Sequence, residues 1–130
     1  MKKILFLSAV LTFASCKKEE KTTIDNSQIA TEEAAPAATP EELGKSIFEG
    51  KGNCVSCHQV DQKVIGPSIQ EIAKTYKSKN ADIVTFLKGN ADPIVDPSQY
   101  DVMKTNLAVT KEMSDEELLA IQTYIYSHLK

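Results

Sequence analysis

The sequence predicts a small all-α domain of about four short helices over residues 41–130, carried behind an export segment and a polar tether. Three observations predict it. Helix-start residues recur ahead of stretches whose apolar positions fall three or four apart, and glycines and prolines separate those stretches. No stretch alternates apolar and polar residues long enough to be a half-buried strand. The chain has 130 residues, enough for one domain and a tail.

Residues 1–15 begin with Lys2 and Lys3, continue with the apolar run Ile4 to Leu11, and end in small residues. A positive start, a short apolar centre and small residues at a boundary describe a signal peptide. The run is far shorter than the ~20 residues a membrane-spanning helix needs. Ala14-Ser15-Cys16 resembles the lipobox of bacterial lipoproteins, with Phe13 where that pattern has an aliphatic residue. The resemblance implies that Cys16 is lipidated and becomes the first residue of the mature chain, anchored in a membrane by its acyl chains. Cleavage would take Lys2 and Lys3 from the 15 lysines, leaving 13 against 18 acidic residues and a formal charge of −5. Anionic headgroups repel such a chain, so lipid must hold it there.

Residues 16–40 carry charge, alanine, threonine and proline with almost no large apolar side chain, the composition of a flexible linker. Such a segment spans roughly 25–30 Å on average and approaches ~80 Å when fully extended. Lys18-Glu19-Glu20 resembles the signal by which some Bacteroidetes-type bacteria send lipoproteins to the cell surface. The expected location is therefore outside the cytoplasm, on a membrane facing the periplasm or the cell surface.

The first helix opens with Thr39 as N-cap, Pro40 at the first helical position and Glu42 three after the cap. Leu43, Ile47 and Phe48 form its apolar face, and Gly50 and Gly52 end it. A second helix is predicted from Ser68 to about Lys77, with Ile69, Ile72, Ala73 and Tyr76 inward. A third runs from Ala81 to Lys88 and closes at Gly89. Asp92-Pro93 and Asp96-Pro97 break regular structure over residues 89–101. The last helix opens at Ser114, with Glu117 completing a capping box, and carries Leu118, Ile121, Tyr124, Ile125 and Leu129. With only two phenylalanines in residues 41–130, so small a scaffold needs a staple.

Composition excludes one large class of function. The formal charge is −3, every basic residue is lysine, and there is no tryptophan. Nucleic-acid binding lacks both the bidentate arginines and the stacking aromatics it relies on. The three cysteines carry the positive signal. Cys54-Val55-Ser56-Cys57-His58 is the C-x-x-C-H motif of c-type haem attachment. Two thiols at that spacing can form thioethers with the two vinyl groups of a haem, and the adjacent histidine falls under the iron. A thioredoxin-type dithiol would need a βαβ context that is absent. A zinc site would need a fourth ligand, and His128 is the only other histidine. Cys54 and Cys57 go to haem and Cys16 to lipid, so no cysteine is left over.

With these residues in view, segment 41–130 resembles a class I monohaem cytochrome c. Leu43-Gly44 and Ile47-Phe48 match the family's first helix, whose glycine lets the last helix cross closely, and Tyr124 matches the aromatic at that crossing. Ile65-Gly66-Pro67-Ser68-Ile69 matches its Gly-Pro turn. The resemblance implies a fold of short helices wrapped around one covalent haem c, with His58 as proximal iron ligand and the Pro67 carbonyl fixing its tautomer. Met103 and Met113 are the candidates for the sixth ligand. Met113 already has a structural role, standing at N′ to Leu118 at N4 as a hydrophobic staple, so Met103 is favoured. His128, near the end of the last helix, reads as an exposed residue favoured there by the helix dipole. With arginine and tryptophan absent, Tyr76, Tyr100, Lys74, Asn106 or backbone amides are left to hold the haem propionates. Lys51 and Lys104 are candidates for partner docking. The function implied is that of a monomeric one-electron carrier, not an enzyme, between membrane redox enzymes.

Overall fold

A computed structural model describes residues 38–130. The signal peptide, Cys16 and nearly all of the linker lie outside the described residues. Helix α1 spans Pro40–Glu49 and starts as its capping chemistry dictates. The Thr39 hydroxyl accepts from the Glu42 amide at 3.2 Å, and the Glu42 carboxylate accepts from the Thr39 amide at 2.8 Å. Two otherwise orphaned donors are thereby satisfied, a device worth about 1 kcal/mol. The same reciprocal pair, Ser114 with Glu117, opens the last helix, α6, Asp115–Ser127. Between them lie α2 (Ile69–Ser78), capped by Ser68, and α3 (Ile83–Leu87), capped by Asp82. Two helices of a single turn follow, α4 (Tyr100–Met103) and α5 (Leu107–Thr110).

The all-α architecture matches the reading of the sequence, while the number of helices differs. Among the described residues, six α-helices and two 3-10 turns stand where about four helices were expected. Pro97 does more than break structure: with φ pre-set, it sits at the first position of a 3-10 turn, Pro97–Gln99, that leads directly into α4. Single-turn helices carry too little periodicity to be visible in a sequence. Leu129, expected on α6, lies beyond its end and is exposed. Among the described residues the only β pairing is an isolated antiparallel bridge between His58 and Lys63.

Helices α1 and α6 make the main crossing. A Cβ placed on Gly44 would stand 1.9 Å from the Ala120 carbonyl oxygen and 2.9 Å from Tyr124 Cβ, so the two backbones touch where any side chain would intrude. Tyr124 closes the crossing against Phe48, ring centroids 5.3 Å apart and tilted at 58°. The core continues through Ile69, Ala73, Ile83, Leu87, Leu118, Ile121 and Ile125, all buried. Met113 is buried in the same cluster as Leu118, consistent with the staple. His128, expected to be exposed, is half-buried instead. It caps α6 and sets its ring edge-on to Tyr124 at 4.9 Å, because the two lie one helical turn apart.

Gly44→Ala should therefore destabilise the domain by at least ~1–3 kcal/mol, since the methyl group can be housed only by separating the helices. Denaturant unfolding of the haem-loaded protein measures this. An unchanged midpoint would mean that α1 and α6 are free to part at no cost.

Candidate functional site

The C-x-x-C-H segment is shaped by the end of α1. The Gly52 amide donates to the Ile47 carbonyl at 2.8 Å and the Asn53 amide to Gly50 at 2.9 Å, carrying the chain tightly round. Asn53 takes the left-handed conformation, φ 48°, that reverses it. A 3-10 turn over Cys54–Ser56 follows, and the amides of Cys57 and His58 both donate to the Cys54 carbonyl at 3.0 Å. One turn thus gathers two thiols and an imidazole on one wall of a deep cleft. No disulfide joins the two cysteines, Cys54 being buried and Cys57 half-buried.

The loop after the motif is closed by its own backbone. The Gly66 amide donates to the Cys57 carbonyl at 2.9 Å and the Ile69 amide to Gln59 at 2.8 Å. This closure brings the Pro67 carbonyl to 2.7 Å from His58 Nδ1, so Nδ1–H donates and Nε2 is left for a ligand. Gly66 also lies flat against the ring. A Cβ there would stand 2.5 Å from His58 Cε1 and 2.9 Å from Nδ1. The sequence read Gly66-Pro67 as a turn with a carbonyl to offer. That its glycine is also a seat for the imidazole face emerges only from the fold.

The remaining walls of the cleft are mostly aliphatic and aromatic. Phe48, Ile72, Ile83, Leu87, Ile121 and Ile125 come from α1, α2, α3 and α6. Phe86 stands 6.3 Å from both Tyr76 and Tyr100, making a continuous aromatic row. Met103, at the end of α4, lines this cleft together with His58, whereas Met113 does not. His128 is not among the lining residues either. Of the groups considered for polar contacts, Tyr76, Tyr100 and Asn106 line the cleft and Lys74 does not, its side chain being exposed. Asn106 also donates to the Gly52 carbonyl at 3.0 Å, tying the segment after Met103 back to the start of the motif. Burial pushes the Tyr76 hydroxyl up to about 12, which keeps it a neutral donor.

The electrostatics discriminate among chemistries for the cysteines. Burial pushes the Cys54 thiol up to about 11, with the neighbouring Cys57 adding to the rise. Redox-active cysteines work as thiolates, which this burial disfavours. A neutral thiol against an apolar wall suits addition to a vinyl group. No three His, Cys, Asp or Glu side chains converge to hold a metal ion among the described residues. The residues present therefore fit a porphyrin. Cys54 and Cys57 would hold its edge, the apolar walls would cover its faces, and His58 would stand beneath its metal. Such a group supplies a one-electron couple.

One ion pair stands at the opening, where Asp96 lines the cleft. Lys63 meets Asp96 at 2.7 Å, joining the loop after His58 to the segment before α4. Lys63 and Ser98 hold the Asp96 carboxyl below its usual range, so it stays ionised. Lys104 meets Asp101 at 2.6 Å, and Lys51 pairs with Glu117. The two lysines proposed from the sequence for docking are thus already engaged within the chain.

Fold and cleft together define a small helical domain built to hold a covalent haem. Residues 41–128 match the cytochrome c family model, and the chain belongs to that family. It is 49% identical over 39 residues to cytochrome c-552 of Nitrosomonas europaea, covering 30% of this chain and 37% of that protein. Against cytochrome c-551 of Pseudomonas denitrificans it is 34% identical over 61 residues, 42% of this chain and 73% of the relative. Cytochrome c2 of Rubrivivax gelatinosus is 50% identical over 42 residues, 32% and 44% of the two chains. The chain thus spans less than half the length of two of these relatives and about three quarters of the third. The domain is an electron-transfer domain rather than an enzyme, with one haem c attached through Cys54 and Cys57.

Gly66→Ala should displace the His58 ring and weaken its hydrogen bond to Pro67. The expected result is a lower yield of haem-loaded protein and a shifted reduction potential, followed by the haem absorption spectrum and redox titration. A variant with native spectrum and potential would show that the ring has room to move.

Proposed function

We propose that the protein is an exported, lipid-anchored one-electron carrier that moves electrons between membrane redox enzymes, with His58 and Met103 as the axial ligands of its haem. One observation carries the ligand assignment: His58, oriented by Pro67 at 2.7 Å, and Met103 line one apolar cleft, from which the other described methionine is absent. A thioether is a soft ligand that favours reduced iron and raises the potential relative to a second histidine. With both axial positions filled, no site is open for oxygen or substrate, and outer-sphere electron transfer is the activity that remains. Tyr76, Tyr100 and Asn106 would serve the propionates as neutral donors.

The remainder of the proposal rests on residues 1–40. Cys16 would carry the lipid and residues 17–40 would act as a tether on a periplasmic or surface-facing membrane. No helix of the described residues is long and apolar enough to cross a membrane, so attachment there requires another device. A tether of this length keeps the haem domain close to its partners and raises their effective concentration without a tight complex.

Met103→Ala should remove the far-red thioether–iron charge-transfer band of the oxidised protein, lower the potential and allow the reduced protein to bind carbon monoxide. Met113→Ala should keep the band and cost about 2–5 kcal/mol of stability, as truncation of a buried methionine does. The reverse pattern would transfer the ligand role to Met113, and a band present in both variants would end the thioether assignment.

Cys16→Ser should move the haem-containing protein from the membrane fraction to the soluble extract. Retention in the membrane after a high-salt wash would overturn the lipid anchor.

A further inference from the structure

Met103 stands on a stretch of chain that the rest of the domain holds by few contacts. From residue 91 to residue 106 no residue is buried. Among the described residues, no backbone hydrogen bond joins this strap to any segment but α5, which follows it directly. Ile94, Val95 and Met103 pack on the core while staying partly exposed, and Tyr100 stands against Phe86. A segment with little buried surface and only local backbone bonds opens at a lower cost than the domain as a whole.

Two lysines from different parts of the fold reach the strap ahead of α4. Lys63, on the loop after His58, meets the Asp96 carboxylate at 2.7 Å. Lys79, which caps the end of α2, donates to the Ile94 carbonyl at 3.1 Å. Ile94 and Asp96 both line the cleft. The Asp96 side chain is 14% exposed and that of Lys63 58%, so the lysine covers the carboxylate from the solvent side. Ser98 also donates to Asp96, at 2.6 Å, yet a serine of the strap itself cannot fasten the strap to anything else. Lys79 has no carboxylate partner among the described residues. Its ammonium is directed instead at a main-chain oxygen to which no backbone amide donates.

Loss of either lysine favours the same motion. Without Lys63, Asp96 would stay ionised beside an apolar cleft with Ser98 alone, and swinging the strap outward is the way to rehydrate it. Without Lys79, the Ile94 carbonyl would need water in place of its partner. The residue carried outward with the strap is Met103.

We propose that Lys63 and Lys79 are positioning residues that hold this strap closed, keeping Met103 on the iron and the sixth position shut to other ligands. This rests on the ligand assignment above and deepens it, since it names what retains the ligand. An exposed ion pair shifts an equilibrium by no more than about fivefold. The two ties together therefore matter more than either alone.

The test mixes the reduced, haem-loaded protein with carbon monoxide and follows binding by stopped flow. In the native chain Met103 must leave first, so binding is slow and reaches a limiting rate at high carbon monoxide. Lys63→Met and Lys79→Met should each raise that limiting rate about three- to fivefold, and the double variant about tenfold or more. Lys63→Arg and Lys79→Arg should stay within about twofold of the native chain, because each keeps the charge and the donor. So should Lys77→Met, which removes an exposed α2 charge that makes no polar contact with the strap. On warming the oxidised double variant, the far-red thioether–iron band should fade well below the temperature at which circular dichroism shows the helices to melt. In the Met103→Ala background the lysine variants should change carbon monoxide binding less than about twofold, because no ligand is left to retain. A double variant with the native limiting rate would overturn the proposal. So would a band and a helical signal lost together at a lowered temperature, which would make the lysines supports of the whole domain. Failure of the ligand assignment reads differently: the native chain itself would bind carbon monoxide as fast as Met103→Ala, and the proposal would fall with it.

Discussion

The contact between Gly44 and the Ala120 carbonyl is the constraint on which the domain hangs. A 1.9 Å gap to a would-be Cβ leaves no room for even a methyl group, so the crossing of α1 and α6 is set by the backbones themselves. Once it is set, Phe48 and Tyr124 pack at its edge, and the C-terminal end of α1 is delivered to a defined place. The haem motif begins five residues later. Its glycine-linked turn is hydrogen-bonded to α1 through Ile47 and Gly50, so the helix crossing also positions the two thiols.

From there the chain builds the site in two halves that meet across the cleft. One half is local: a 3-10 turn, a loop closed by Cys57–Gly66 and Gln59–Ile69 backbone bonds, and a histidine held between a glycine face and a proline carbonyl. The other half is distant in sequence and consists of α4 and the segments around it. It is joined to the first by Lys63–Asp96 on one side and Asn106–Gly52 on the other. The haem domain thus has a rigid wall that carries the covalent attachment and a facing wall fastened by polar ties. A haem would fill the space between and extend the small core that the helices already form.

Electrostatics follow the same division of labour. Inside the cleft, burial raises the Tyr76 hydroxyl and keeps it a neutral donor, and before attachment it disfavours the Cys54 thiolate. Outside the cleft, Lys51, Lys63 and Lys104 are each paired with a carboxylate of the chain. Lys51 and Lys104 show what position in the sequence leaves open, since the fold sets Glu117 beside the one and Asp101 beside the other.

Much of the protein was legible from local chemistry. C-x-x-C-H specifies a covalent haem because the spacing alone presents two thiols and an imidazole on one turn. Thr39 with Glu42 and Ser114 with Glu117 specify helix starts because capping acts within four residues. Met113 could be set aside as a staple for the same reason. The one-turn helices α4 and α5 were not legible, since four residues show no periodicity. Neither was the role of Gly66 as a seat for the His58 ring, nor the half-burial of His128 against Tyr124. The pairing of Lys63 with Asp96 spans 33 residues, and that of Lys51 with Glu117 spans 66. Interactions within a turn are written in the order of residues. Those that close the cleft join segments far apart in the chain, and only the packing of α1 on α6 decides which segments meet.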